Sequence, residues 1–118
     1  MSIINRVAID ELGEQIGQEN LTPLFEIFTK ELADYQQILS QCEANEISKQ
    51  LAEICHALKS SAASFGADTL CEHAREMDRL YKLGTDLSLG DYVEQTNAML
   101  AETKHAYIDY ITRVSRSG

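Results

Sequence analysis

The chain has 118 residues, 44 % of them hydrophobic and 25 % charged, which fits one globular domain over residues 1–118 with a single modest core. Its formal net charge of −9 disfavours nucleic acid and anionic membrane surfaces as partners, because both demand a basic face. One proline and a few scattered glycines favour long uninterrupted helices over strands and turns.

The N-terminus, MSIINRVAIDELGEQ, lacks the basic start and apolar stretch of a secretion signal, and no apolar run approaches the roughly 20 residues of a membrane span, so a cytoplasmic location is expected. A first short helix is predicted over Val7–Ile16, with Ile9, Leu12 and Ile16 at helical spacing and Gly17 as its stop. In the second, Thr22 is the expected N-cap and Pro23 the first helical residue, followed by a stripe of Leu24, Phe28, Leu32, Tyr35, Leu39 and Cys42. Asn45 can cap a third helix that runs to Phe65 and ends at Gly66. Asp68 can cap a fourth, whose Leu70, Ala74, Met77 and Tyr81 share a face before Gly84 closes it. Ser88 and Asp91 stand at capping-box spacing ahead of a last helix with the stripe Leu89, Val93, Thr96, Leu100, Tyr107, Ile111 and Val114. Short connections imply antiparallel neighbours: the expected fold is all-α, an antiparallel up-and-down four-helix bundle with a short additional N-terminal helix.

On a helical wheel of about 100° per residue, Ile47, Leu51, Ile54, Leu58, Ala62 and Phe65 of the third helix fall in a sector about 80° wide that must face the core. His56 lies roughly 180° from Ile47 and Phe65, and so is expected in solvent. Around it Ala52, Ser60 and Ala63 are short enough for a flat surface to approach the ring, and Lys59 sets a cation beside it that suits phosphate oxygens. Lys49, two turns earlier on the same face, adds a second cation, either solvated or a docking contact.

Imidazole is a competent covalent nucleophile when one nitrogen is unprotonated. The chain shows no Gly-rich phosphate loop, no carboxylate motif for a metal and no nucleotide domain, so no cofactor or metal of its own is expected. A protein that receives and passes on a phosphoryl group, borrowing its partners' chemistry, fits that set of features. Cys42, Cys55 and Cys71 form no CxxC pair and are odd in number, which reads as free buried thiols. Cys55 points about 100° away from His56, which disfavours a Cys–His pair. His105 and His73 lack the lysine and the small neighbours that follow His56.

The run HALKSSAASFGA, residues 56–67, resembles the signature of histidine-containing phosphotransfer (HPt) domains: a histidine, an apolar residue two positions on, then lysine, small residues and a Gly-Ala ending. Its continuation through ADTLCEHA is similar to the monomeric phosphorelay type of this family found in bacterial quorum sensing. Ser60 stands where many HPt domains have glycine, and serine is also small. The resemblance implies His56 as phosphoacceptor, Lys59 as a contact to the phosphoryl group or the partner, Ser60 and Ala63 as clearance, and Gly66 as the residue permitting close packing at the helix end. It implies as partners the receiver domain of a hybrid sensor kinase, as donor, and that of a response regulator, as acceptor, with Mg²⁺ supplied by the receivers. Such a carrier is a stoichiometric intermediate rather than an enzyme, and a monomer. The alternative from the binding class is a helical adaptor that docks receivers without taking phosphate. A kinase dimerisation segment fits less well, since Ala57 and Ser61 stand where an acidic residue and a proline are usual.

Overall fold

A computed structural model describes residues 3–117, with side chains through residue 114. It contains five helices: α1 Arg6–Ile16, α2 Leu21–Gln41, α3 Ile47–Phe65, α4 Asp68–Lys82 and α5 Tyr92–Ser117, with a 3₁₀ turn at Gln18–Asn20. No strand occurs among the described residues. Helix α3 packs mainly on α4, and α2 mainly on α5; lesser contacts of α2 with α3 and of α4 with α5 close these pairs around one core.

That core is aliphatic through most of its length and aromatic at one end. Leu32, Leu51, Leu58, Leu100 and Leu70 are buried, and Phe25, Phe28 and Tyr107 join them with 0 % exposure. The Phe25 and Phe28 rings each lie 5.1 Å from the Tyr107 ring, edge to face, the arrangement favoured by aromatic quadrupoles. Burial pushes the Tyr107 hydroxyl's pKa upward, so it stays a donor, and it bonds the Phe65 carbonyl at 2.6 Å. Tyr107→Phe removes that bond and leaves a helix-end carbonyl without its partner. The expected loss is about 1–2 kcal/mol in urea unfolding, with the helical circular dichroism unchanged.

The turn between α3 and α4 is fastened from two sides, Tyr107 being one. Gly66 ends α3 in the left-handed region at φ 79°, which favours glycine, and Ala67 N–H reaches back to the Ala62 carbonyl at 2.8 Å. From the other side, Asn5 donates its backbone N–H to the Gly66 carbonyl at 2.7 Å and its side-chain amide to Asp68 at 2.9 Å, while its Oδ1 caps α1 by accepting from Ala8 N–H. The close packing expected at Gly66 is therefore against α1: a Cβ there would stand 3.1 Å from the Asn5 carbonyl oxygen. Gly66 is buried beneath the N-terminal segment rather than open to a docking partner.

The helix starts differ from the sequence reading, each for a local reason. α2 begins at Leu21, not after Thr22, because the 3₁₀ turn feeds straight into it and Leu21 is buried; Pro23 still falls in the first turn, where an N–H has no partner to lose. α3 starts at Ile47 behind Glu46, without a side-chain cap, and Asn45 lies in the preceding turn. Asp68 is the first residue of α4 rather than its cap, its carboxylate taken by Asn5. The expected capping box before α5 is absent: the Ser88 N–H and hydroxyl both bond the Asp86 carboxylate, at 3.0 and 2.7 Å, in a tight turn. α5 then starts only at Tyr92, leaving Leu89 65 % exposed, and Leu87 fills the core instead, its N–H bonded to Ser48 Oγ at 2.8 Å. Val114, the other end of the predicted stripe, is exposed.

Candidate functional site

His56 projects from the middle of α3 with 67 % of its side chain in solvent. The core sector of the wheel is as expected on one flank, where Glu53, Ala57 and Ser60 are exposed. On the other flank the buried arc is wider, taking in Cys55 and Ala52 at 0 % and 5 % exposure, because α4 lies along it. Ala52 thus does not stand beside the ring in solvent; its methyl forms part of the floor next to it. Helix α4 can come this close because the α3 side chains under it are short. Cys71 of α4 even points its thiol at the Lys59 carbonyl, 3.6 Å away.

This approach delivers Asp78, which sequence reasoning missed. Its side chain is only 11 % exposed, and the carboxylate collects three donors. Lys59 Nζ reaches Oδ2 at 2.7 Å and Lys82 Nζ reaches the same oxygen at 2.8 Å, while His56 Nδ1 lies 3.3 Å from Oδ1. Hydrogen bonding from Lys59, then from Lys82, holds the Asp78 carboxyl well below the usual carboxylate range, against the opposing push of burial. An ionised carboxylate can only accept. The proton in the His56–Asp78 bond therefore resides on Nδ1, and that tautomer leaves the Nε2 lone pair free and facing solvent.

His56, Asp78 and Lys82 line one shallow groove of about 350 Å³ together with Ala52, Glu53 and Tyr81. Tyr81, expected in the core, is 41 % exposed, at the edge shared by this groove and a neighbouring hollow. Of the other residues singled out, Lys59 is brought into the cluster and Ser60 and Ala63 stay exposed further along α3. Lys49 is exposed too but lines a neighbouring hollow with Ser48, Tyr81 and Asp86 rather than the His56 groove.

The cysteine that precedes His56 is not a competing nucleophile. The thiol of Cys55 is pushed up to about 12 by burial and by the nearby Asp78 charge, so it is protonated and inert. Among the described residues no group of three or more His, Cys, Asp and Glu side chains is arranged to hold a metal ion, and none of the helices is long and apolar enough to cross a membrane.

His73 bridges α4 to α5. The Thr96 hydroxyl donates to the Tyr92 carbonyl at 2.8 Å, so the 2.7 Å contact between Thr96 Oγ1 and His73 Nε2 has the imidazole as donor. Burial lowers the pKa of His73 from 6.5, partly offset by Glu76. The unfolded chain then binds this proton more readily than the folded one. The linked stability is fully present above pH 6.5 and is lost as the pH falls below it. Urea unfolding between about pH 7 and about pH 5 should show this decline, and His73→Gln should flatten it.

An exposed histidine on a helix, bonded to a carboxylate and flanked by lysines, is a site suited to phosphoryl transfer, and the comparisons point to the same class. The family model of the Hpt domain matches residues 23–106, and the chain belongs to that family. More particularly, the chain is similar to the phosphorelay protein LuxU of Vibrio cholerae serotype O1, 44 % identical over 109 residues that span 92 % of this chain and 96 % of the relative. It is 40 % identical to the LuxU of Vibrio vulnificus strain YJ016 over 93 % of this chain and 96 % of that one. The LuxU of Vibrio harveyi is 40 % identical over 89 % of this chain and 92 % of its own length. No solved structure matches the chain significantly.

Proposed function

We propose that the chain is a quorum-sensing phosphorelay carrier that takes a phosphoryl group on Nε2 of His56 from the receiver domain of a hybrid sensor kinase and passes it to the aspartate of a response regulator. The observation that carries this reading is the exposed ring of His56 held by ionised Asp78 through Nδ1, with Nε2 free. Attack by the Nε2 lone pair on an aspartyl phosphate forms the N–P bond as the acyl O–P bond breaks, and the receiver's carboxylate leaves. Positive charge builds on the ring during attack, and the Asp78 carboxylate at Nδ1–H opposes it directly. Handing the group on reverses the same steps on a second receiver. Lys59, less exposed than His56, fixes Asp78 and sits where it can meet phosphoryl oxygens.

Within this reading the whole chain, residues 1–118, is one domain, its four long helices run antiparallel and up-and-down with α1 across one end, and the carrier is a cytoplasmic monomer. Mg²⁺ and the acidic acceptor pocket are the receivers' contribution, so the chain is a stoichiometric intermediate and not an enzyme with its own nucleotide or metal site. Ser60 and Ala63 leave room for the receiver to close over the ring, Ala52 floors the groove, and Lys49 supplies a flanking positive charge to the docked acidic partner.

The test is a relay assay with purified receivers. Label carried as aspartyl phosphate should move to this chain as acid-labile, base-stable phosphate and then be chased onto an unlabelled response-regulator receiver. A chain that binds receivers yet acquires no label would be an adaptor.

A further inference from the structure

Lys82 is a part of the cluster that the sequence did not single out and the carrier reading does not use. Two ammoniums, Lys59 and Lys82, share a single oxygen of Asp78 at 2.7 and 2.8 Å. Each weakens the other's hold, because like charges so close repel while only one carboxylate balances them. Their exposure differs. The Lys59 side chain is 28 % exposed, its stem packed between helices, whereas Lys82 is 63 % exposed on the last turn of α4. Lys82 also lines the same groove as His56.

In the resting cluster the two ammoniums face one carboxylate, an excess of one positive charge before the imidazole is counted. Phosphorylation adds up to about two negative charges at Nε2. The other charged group lining the groove, Glu53, adds a further negative charge. The electrostatic balance then favours moving one ammonium from Asp78 to the new group, and Asp78 keeps Lys59 and His56 Nδ1–H when it does. We infer that Lys82 is a two-position cation, parked on Asp78 at rest and swung onto the phosphoryl oxygens once His56 is phosphorylated. This rests on the carrier reading and deepens it. Resting, Lys82 leaves Nε2 unobstructed; loaded, it lowers the charge that repels an acidic receiver pocket.

The experiment loads wild type, Lys82→Gln and Lys82→Arg with phosphoramidate, which needs no docked partner and releases ammonia as the N–P bond forms. Phosphorus NMR then follows the ionisation of the phosphoryl group with pH. A cation in contact keeps the group ionised to lower pH, so Lys82→Gln should raise the midpoint by about 0.5 to 1 pH unit and Lys82→Arg should leave it near wild type. Transfer from the loaded variant to a receiver should show a raised KM that arginine restores. The Asp78 ion pair is on the surface at the Lys82 end, so the fold is expected to be unaffected by either change. Equal midpoints in wild type and Lys82→Gln would overturn the inference while leaving the carrier intact. A wild-type chain that acquires no phosphoryl on His56 would instead fail the carrier reading, and this inference with it.

Discussion

A His56→Gln chain is expected to accept no phosphoryl group from a phosphorylated receiver while remaining as stable as wild type. Glutamine has no nitrogen lone pair able to attack phosphorus, since its amide nitrogen is delocalised into the carbonyl, and the exposed His105 lacks the lysine and small neighbours that follow His56. His73 is tied to Thr96, and the buried Cys55 thiol is protonated. The stability side follows from exposure: 67 % of the His56 side chain is already in water, and glutamine can still donate to Asp78. The unfolding free energy should therefore stay within about 0.5 kcal/mol of wild type by urea titration. Residual transfer above background in this variant would move the acceptor to another residue.

The second large effect is at Asp78. Asp78→Asn keeps the size of the side chain but removes the charge that selects the Nδ1–H tautomer and anchors two lysines. An asparagine amide can donate to Nδ1 as readily as accept from it, so Nε2 is protonated, and blocked, in a larger share of molecules. The ring's developing positive charge also loses its counter-charge. Partners that orient a reacting group in this way are worth about 10- to 100-fold in rate, and a loss of that size in single-turnover transfer from a receiver is expected. Receiver affinity should change much less, which separates positioning from docking. Transfer at the wild-type rate in Asp78→Asn would mean that the carboxylate serves only the fold. The carboxylate's depressed pKa has a further consequence: its contribution to stability is present above its ordinary value of 3.8 and is lost as the pH falls through the acid range.

The exposed position of His56 and the nearness of Lys59 were legible in the sequence because both lie on one helix, where spacing alone fixes relative position. His56 falls opposite Ile47 and Phe65 on the wheel, and the structure has it exposed. Asp78 was not legible in that way. It lies 22 positions from His56, on another helix, and its approach depends on how closely α3 and α4 pack, which no single-helix wheel reports. A signal did exist: Cys71, Asp78 and Lys82 follow one another at spacings of seven and four, a second face of α4 beside the apolar stripe. Tyr81 was misplaced for the converse reason, since periodicity marks a face as apolar but not whether a neighbour is large enough to cover it. The start of α5 was misread because Ser88 met the spacing of a capping box while Asp86, two residues earlier, offered it a nearer partner. Gly66 was correctly read as a helix end, but its neighbours, Asn5 and Ala8 at the start of α1, are distant in the chain and could not be inferred from local pattern.

The most direct test of the site is which nitrogen carries the phosphorus. With ¹⁵N-labelled histidine, the chain loaded from a phosphorylated receiver should show one phosphohistidine, at His56, with the phosphorus on Nε2 and the proton retained on Nδ1. Phosphorus on Nδ1, where Asp78 now sits, or on His73 or His105, would contradict the account.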